Sequence, residues 1–338
     1  MAFYRFKLQG AYIGFIKGGC FAAFCLMLNL PVLADDNIAP NDLYELQVKA
    51  SYSEMPASDV QGGTGYSIDT LFFSPVIQNN WRIFAGEYHA HEDEPDGEGN
   101  MSFWRSTAGV EYHDGGVKLS LAPTLNYYNN AARAGVTGNG QWSLNDHWAI
   151  GAESQIFSVD TPLRALNAGI TSNSYSANAM WHQGDERSVT MNVAVMNFSD
   201  QNLRDTGNAL YSERLYTNAG SSFTLDGVVN ITESQNSLDE QRLYFNPKTD
   251  LLSSAGLKAT DVLCRDGDSV YLQSLQLLPG SYWQRNYGES MAFNARYELR
   301  AHFSDNFEVG LGGDFTRQEA DGIQASSMTA LFDLTRKF

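Results

Sequence analysis

The sequence predicts an all-β chain: a transmembrane, antiparallel, up-and-down β-barrel of about sixteen strands, an even number as single-chain barrels require. Three features point there. Apolar residues fall at every second position over segments of ten or more residues. A short Asn/Asp turn followed by an aromatic residue recurs along the chain. The chain ends in Phe338, on a segment with the same alternation.

The first element is a transport signal rather than part of the fold. Arg5, Lys7 and Lys17 are basic, Cys20 to Leu28 is apolar, and Val32-Leu33-Ala34 precedes Asp35 and Asp36. This is the pattern of a secretory signal peptide over 1–34 with cleavage after Ala34. The alternative, a retained anchor, is opposed by the shortness of the apolar core. A short lead over 35–41 follows, and 42–338 reads as one domain without a linker. The signal holds three basic and no acidic residues, leaving 19 of the 22 basic groups against all 39 acidic ones, a net of −20. Nucleic acid is excluded as a partner, because a phosphate-binding surface needs a basic excess. Cys20 and Cys25 leave with the signal, so Cys264 alone remains and no intrachain disulfide is possible.

The alternation begins at Leu43–Tyr52. Tyr44, Leu46, Val48, Ala50 and Tyr52 share one face, and Glu45, Gln47, Lys49 and Ser51 the other. A period of two marks a strand with one apolar and one wet face. It recurs over Val117–Tyr127 and Val189–Val195. From Met291 to Phe303 it sets Met291, Phe293, Tyr297, Leu299 and Phe303 against Asn294, Arg296, Glu298, Arg300 and His302. Such lengths, tilted, cross a hydrocarbon layer, whereas strands of soluble sheets are mostly five or six residues long. Tyr44, Tyr52, Trp104, Tyr112, Trp142, Trp148, Phe303 and Phe307 sit at strand ends, as two aromatic girdles require. The competing fold is a soluble β-sandwich or β-solenoid.

Asn79-Asn80-Trp81, Asn145-Asp146-His147-Trp148 and Asp305-Asn306-Phe307 each read as a tight turn that delivers an aromatic to the membrane edge. Longer polar stretches near 92–100, 158–173, 199–208, 233–250 and 316–325 read as loops of the opposite end. At the close, Met328, Ala330, Phe332, Leu334 and Phe338 share a register that Arg336 interrupts. A final strand ending in Phe is the address of the outer-membrane assembly machinery, which places the chain among outer-membrane lipid and lipopolysaccharide.

Four segments carry a family resemblance: Ser74-Pro75-Val76-Ile77 before Asn80-Trp81-Arg82, Asp160-Thr161-Pro162-Leu163-Arg164-Ala165-Leu166-Asn167-Ala168-Gly169-Ile170-Thr171, Glu213-Arg214-Leu215-Tyr216-Thr217, and Tyr244-Phe245-Asn246-Pro247-Lys248-Thr249-Asp250-Leu251. In this order they resemble the C-terminal barrel of the poly-β-1,6-N-acetyl-D-glucosamine export porin family, over nearly all of 64–338. The family has a helical tetratricopeptide-repeat region before its barrel; here the first strand follows the signal almost at once. The resemblance implies export of a cationic, partly de-acetylated glucosamine polymer. It also implies a separate periplasmic helical-repeat or de-acetylase protein as a further partner.

Strand parity puts Glu45, Glu111, Glu153, Glu298, Glu308 and Asp314 on the wet face, where carboxylates concentrate a cationic chain. These six are the candidate substrate-binding residues. The alternative is a lattice in which the acids pair with Lys49, Arg105, Lys118, Arg296 and Arg300 and stiffen the wall. His89-Ala90-His91-Glu92-Asp93-Glu94 presents two imidazoles on one face, a pattern open to a divalent metal, but it reads rather as a solvated acidic loop mouth. None of the histidines at 89, 91, 113, 147, 182 and 302 lies in a nucleophile motif. Neither a catalytic residue nor a cofactor is expected. The remaining functional alternatives are a structural or adhesive barrel with a filled lumen, and a general diffusion porin.

Overall fold

The computed structural model describes residues 43–55, 63–77, 80–93, 100–218, 222–238, 244, 246–304, 306–320 and 322–338. The expected signal over 1–34 and lead over 35–41 lie outside the described residues, as do 94–99 of the first expected long loop. The first eight strands are β1 (Glu45–Met55), β2 (Gly63–Phe73), β3 (Trp81–Asp93), β4 (Asn100–Asp114), β5 (Val117–Tyr128), β6 (Ala131–Ser143), β7 (Trp148–Ile156) and β8 (Ser172–Gln183). The others are β9 (Arg187–Phe198), β10 (Leu203–Asn218), β11 (Phe223–Asn236), β12 (Thr249–Asp266), β13 (Ser269–Gln284), β14 (Gly288–Ser304), β15 (Phe307–Ala320) and β16 (Ile323–Lys337). A single-turn helix, α1 (Leu163–Asn167), lies between β7 and β8.

Every strand pairs antiparallel with its sequence neighbours, and β1 pairs with β16 from Glu45↔Lys337 to Glu54↔Met328, closing a sixteen-stranded barrel. Closure leaves no sheet edge, so every strand finds its ladder within the chain, as hydrocarbon demands. No helix among the described residues is long and apolar enough to cross a membrane; the crossing elements are strands. The burial pattern is that of a soluble protein turned inside out. Leu121 is 56 % and Val193 61 % exposed, while Asn126 is fully buried and Arg105 only 8 % exposed.

Trp81, Trp148 and Phe307, which open β3, β7 and β15, lie at the end that also holds the start of β1 and the end of β16. This is the periplasmic end of such a barrel, and the long connections lie at the other. Outward aromatics pair along its rim: Trp81 with Tyr112 at 5.1 Å between centroids, and Phe303 with Phe307 at 5.1 Å. Near the opposite end Tyr66 lies beside His91 at 5.2 Å, and His89 stacks on Trp104 at 3.8 Å. The β5–β6 connection is only Asn129-Asn130, with φ of 47° and 59°. Both central residues are left-handed, as a two-residue hairpin turn with the sheet's own twist requires.

Two expected loops are largely strand. Residues 203–208 belong to β10, and 316–320 and 323–325 belong to β15 and β16. Polar composition marks where a strand leaves the hydrocarbon, not where it ends. The 233–250 loop likewise shrinks to 237–248.

Candidate functional site

The interior face carries all six predicted carboxylates, but the barrel does not bring them to one point. Glu45 on β1 and Glu111 on β4 meet through Arg82 on β3. Arg82 Nη1 lies 2.9 Å from Glu45 Oε2, and Nη2 lies 2.6 Å from Glu111 Oε1. Lys118 Nζ on β5 is 3.2 Å from the second Glu111 oxygen. The guanidinium also lies over the Phe73 ring, 4.0 Å from its centroid. Four strands are thereby joined near the periplasmic end.

Glu298 and Glu308 form a second group, around Arg300. Arg300 donates through Nη2 to Glu298 Oε1 at 2.5 Å and through Nη1 to Glu308. Asp333 Oδ1 lies at 3.9 Å from the same guanidinium, and His302 Nδ1 at 3.2 Å from Glu308 Oε2. Asp314 accepts from Asn294 Nδ2 at 2.9 Å and from Thr316 Oγ1 at 3.1 Å. Glu153 accepts from Gln155 Nε2 at 2.8 Å. Four of the six acids thus lie in ion pairs with interior arginines, as the lattice alternative expects for Arg300 and Lys118.

Arg105 departs from that alternative. Its hydrogen bonds go to Asn126 Oδ1 at 2.7 Å, Gln155 Oε1 at 3.3 Å and the Phe157 carbonyl. Most strand aromatics face outward, but a minority face the interior. Tyr88 on β3, Phe103 on β4 and Tyr128 on β5 share the interior parity, and Phe103, Phe157 and Leu166 form a buried apolar cluster that the two tyrosines flank. A second cluster joins Ala165 to Phe198 and Tyr244. Phe198 has the interior parity of β9, so α1 and its flanks fold inward at the extracellular end. Strand parity contained the signal for the wall aromatics, which fall on the wet face among polar residues. The single turn of α1 is too short to show a period.

The histidine pair at 89 and 91 faces outward. His91 Nε2 is 3.1 Å from Asp93 Oδ1 and Nδ1 is 2.9 Å from Ser102 Oγ, while His89 stacks on Trp104. Among the described residues no group of three His, Cys, Asp or Glu side chains converges for a metal ion.

A closed barrel of this strand number, with an apolar outer face, aromatic rims and a charged interior, is an outer-membrane β-barrel. The chain belongs to the family described as the PgaA membrane beta barrel domain, whose model matches residues 41–338. It is 26 % identical over 298 residues to the poly-beta-1,6-N-acetyl-D-glucosamine export protein of Escherichia coli strain K12, and equally to that of Escherichia coli O157:H7. Each match takes in 88 % of this chain and 36 % of the relative, so the chain spans about a third of those proteins' length. Among solved structures, one described as a bacterial polysaccharide outer membrane secretin aligns with a TM-score of 0.80 at 26 % identity. That alignment covers 88 % of this chain and 99 % of that one.

Proposed function

We propose that the barrel is an outer-membrane pore for export of a partly de-acetylated poly-N-acetylglucosamine, with Glu45, Glu111, Glu153, Glu298, Glu308 and Asp314 as successive weak contacts for its free amines. The observation that carries this reading is the pairing of interior carboxylates with partly exposed arginines, in a chain similar to export proteins of that polymer. Arg300 and Glu298 remain 38 % and 22 % exposed, so water reaches the pair. A solvated ion pair is worth about 0–1 kcal/mol. A glucosamine ammonium can therefore replace the arginine at little cost and leave again, as transit requires. The pore reading assigns the chain no catalytic step. Its further partners would be periplasmic: a helical-repeat protein and a de-acetylase that frees the amines.

Planar-bilayer conductance tests it. The expected outcome is a cation-selective current blocked reversibly by glucosamine oligomers and little by fully acetylated ones. Glu45→Gln, Glu111→Gln and Glu153→Gln combined should weaken selectivity and block in a barrel that still assembles. Equal block by glucosamine and glucose oligomers would instead indicate a general diffusion porin. The inward α1 segment favours one competing reading, a barrel with a filled lumen, for which no current is expected.

A further inference from the structure

We propose that Arg105 is a positioning residue: it holds the inward segment 157–171 against the β3–β5 wall and so sets which part of the lumen stays open. The inference rests on the pore reading only in requiring that the barrel conduct ions, not in what polymer passes.

β7 ends at Ile156, and at Phe157 the backbone enters the left-handed region, with φ of 68°. A phenylalanine adopts that conformation only where its surroundings enforce it. Arg105 is one such enforcement, since its guanidinium donates to the carbonyl of Phe157 itself. The same group donates to Gln155 Oε1, and that oxygen also accepts from the Val159 backbone N–H at 3.3 Å. Arg105 thus grips the chain on both sides of the bend. It is held from behind by Asn126, whose amide donates to Thr124 Oγ1 at 3.2 Å and to the Arg133 carbonyl at 3.1 Å. Only a planar fork of donors reaches three such acceptors together.

Beyond the bend, α1 follows the same wall. Leu166 packs with Phe103 and Phe157, Arg164 Nε lies 3.2 Å from Glu92 Oε1, and Asn129 Nδ2 donates to the Asn167 carbonyl at 2.6 Å. On β14 and β16 two interior side chains stay open: Arg296 is 48 % and Asp333 37 % exposed, against 8 % for Arg105 as a whole residue. The segment lines the β3–β5 side of the lumen, while Arg296 and Asp333 on β14 and β16 remain accessible.

The test is single-channel recording in potassium chloride, with barrel assembly followed separately as the mobility difference between heated and unheated samples on a detergent gel. The parent is expected to hold one steady level. Arg105→Gln should lose it, with current fluctuating between that level and others, and Arg105→Lys should not restore it. If Arg105→Gln does not assemble, Leu166→Ser decides the matter, since it loosens the same segment and leaves Arg105 intact. A purely structural role would lower heat resistance and leave the current steady. A steady parental level in Leu166→Ser, or in an assembled Arg105→Gln, overturns the proposal. Block by glucosamine oligomers is not read here, so failure of the polymer reading remains distinguishable.

Discussion

Arg82 Nε donates to Glu111 Oε1 at 2.7 Å between the adjacent strands β3 and β4, and the Glu111 side chain is only 5 % exposed. The pair lies directly across the ladder, where Arg82 and Glu111 are register partners. Opposite charges at such positions reinforce the register. Because Arg82 also reaches Glu45 on β1, it links three strands near the barrel seam.

Arg82→Gln should therefore act twice. It leaves Glu111 with Lys118 alone, and the expected loss is about 1–3 kcal/mol, read as a lower denaturant midpoint for the assembled barrel. It also removes a positive charge from the lumen, so cation selectivity should rise. Selectivity unchanged in a barrel that still assembles would place this cluster away from the ion path.

Leu299 and Glu298 are neighbours on β14 with opposite fates. Leu299 pairs with Gln273 and Leu311 on the outer face, whereas Glu298 binds Arg300 inside. Leu299→Arg should cost about 2–4 kcal/mol if it lies near the bilayer midplane. Glu298→Gln should cost far less, since Arg300 keeps Glu308. Comparable losses in the two unfolding curves would mean that the assigned faces are reversed.

Gly256 and Gly207 give a packing test. A Cβ at Gly256 would stand 1.9 Å from the Leu277 carbonyl oxygen of β13, where no alanine fits without backbone movement. Overpacking of this kind costs about 1–3 kcal/mol. A Cβ at Gly207 would meet nothing within 4 Å. Gly256→Ala should lower the unfolding midpoint, and Gly207→Ala should leave it nearly unchanged.

The wall was legible in the sequence and the contents of the lumen were not. Alternation fixes which face Leu299 and Glu298 take, because a one-residue slip would send every apolar side chain inward. The same alternation places Tyr88, Phe103 and Tyr128 on the wet face, yet it says nothing of what covers them. Their cover comes from Phe157 and Leu166, in a segment with no period to read. Arg105 looked like a partner for carboxylates because charge suggests charge. Its real acceptors are two side-chain amides and a carbonyl, which carry no signature in composition. Loop limits failed for a related reason, since polar residues on β10 and β15 continue the ladder.

Comparing Phe338 with Phe315 tests whether yield follows stability alone. Phe338 lies one residue beyond β16 and is 48 % exposed, outside the β1–β16 ladder that ends at Lys337. Phe315 sits on the outer face of β15 beside Phe293, with 6.4 Å between ring centroids. Truncating Phe315 to alanine removes apolar contact within the barrel wall and should cost about 1–2 kcal/mol. Deleting Phe338 leaves every residue pair of the β1–β16 register in place. If only stability governed yield, Phe315→Ala would be the more damaging change. If the terminal aromatic is read by the assembly machinery, the order inverts: the deletion lowers the amount of heat-modifiable barrel in outer membranes more than Phe315→Ala does. Both proteins, refolded in detergent without that machinery, should then show the opposite order of stability. Equal yields in cells would remove Phe338 from any role in targeting.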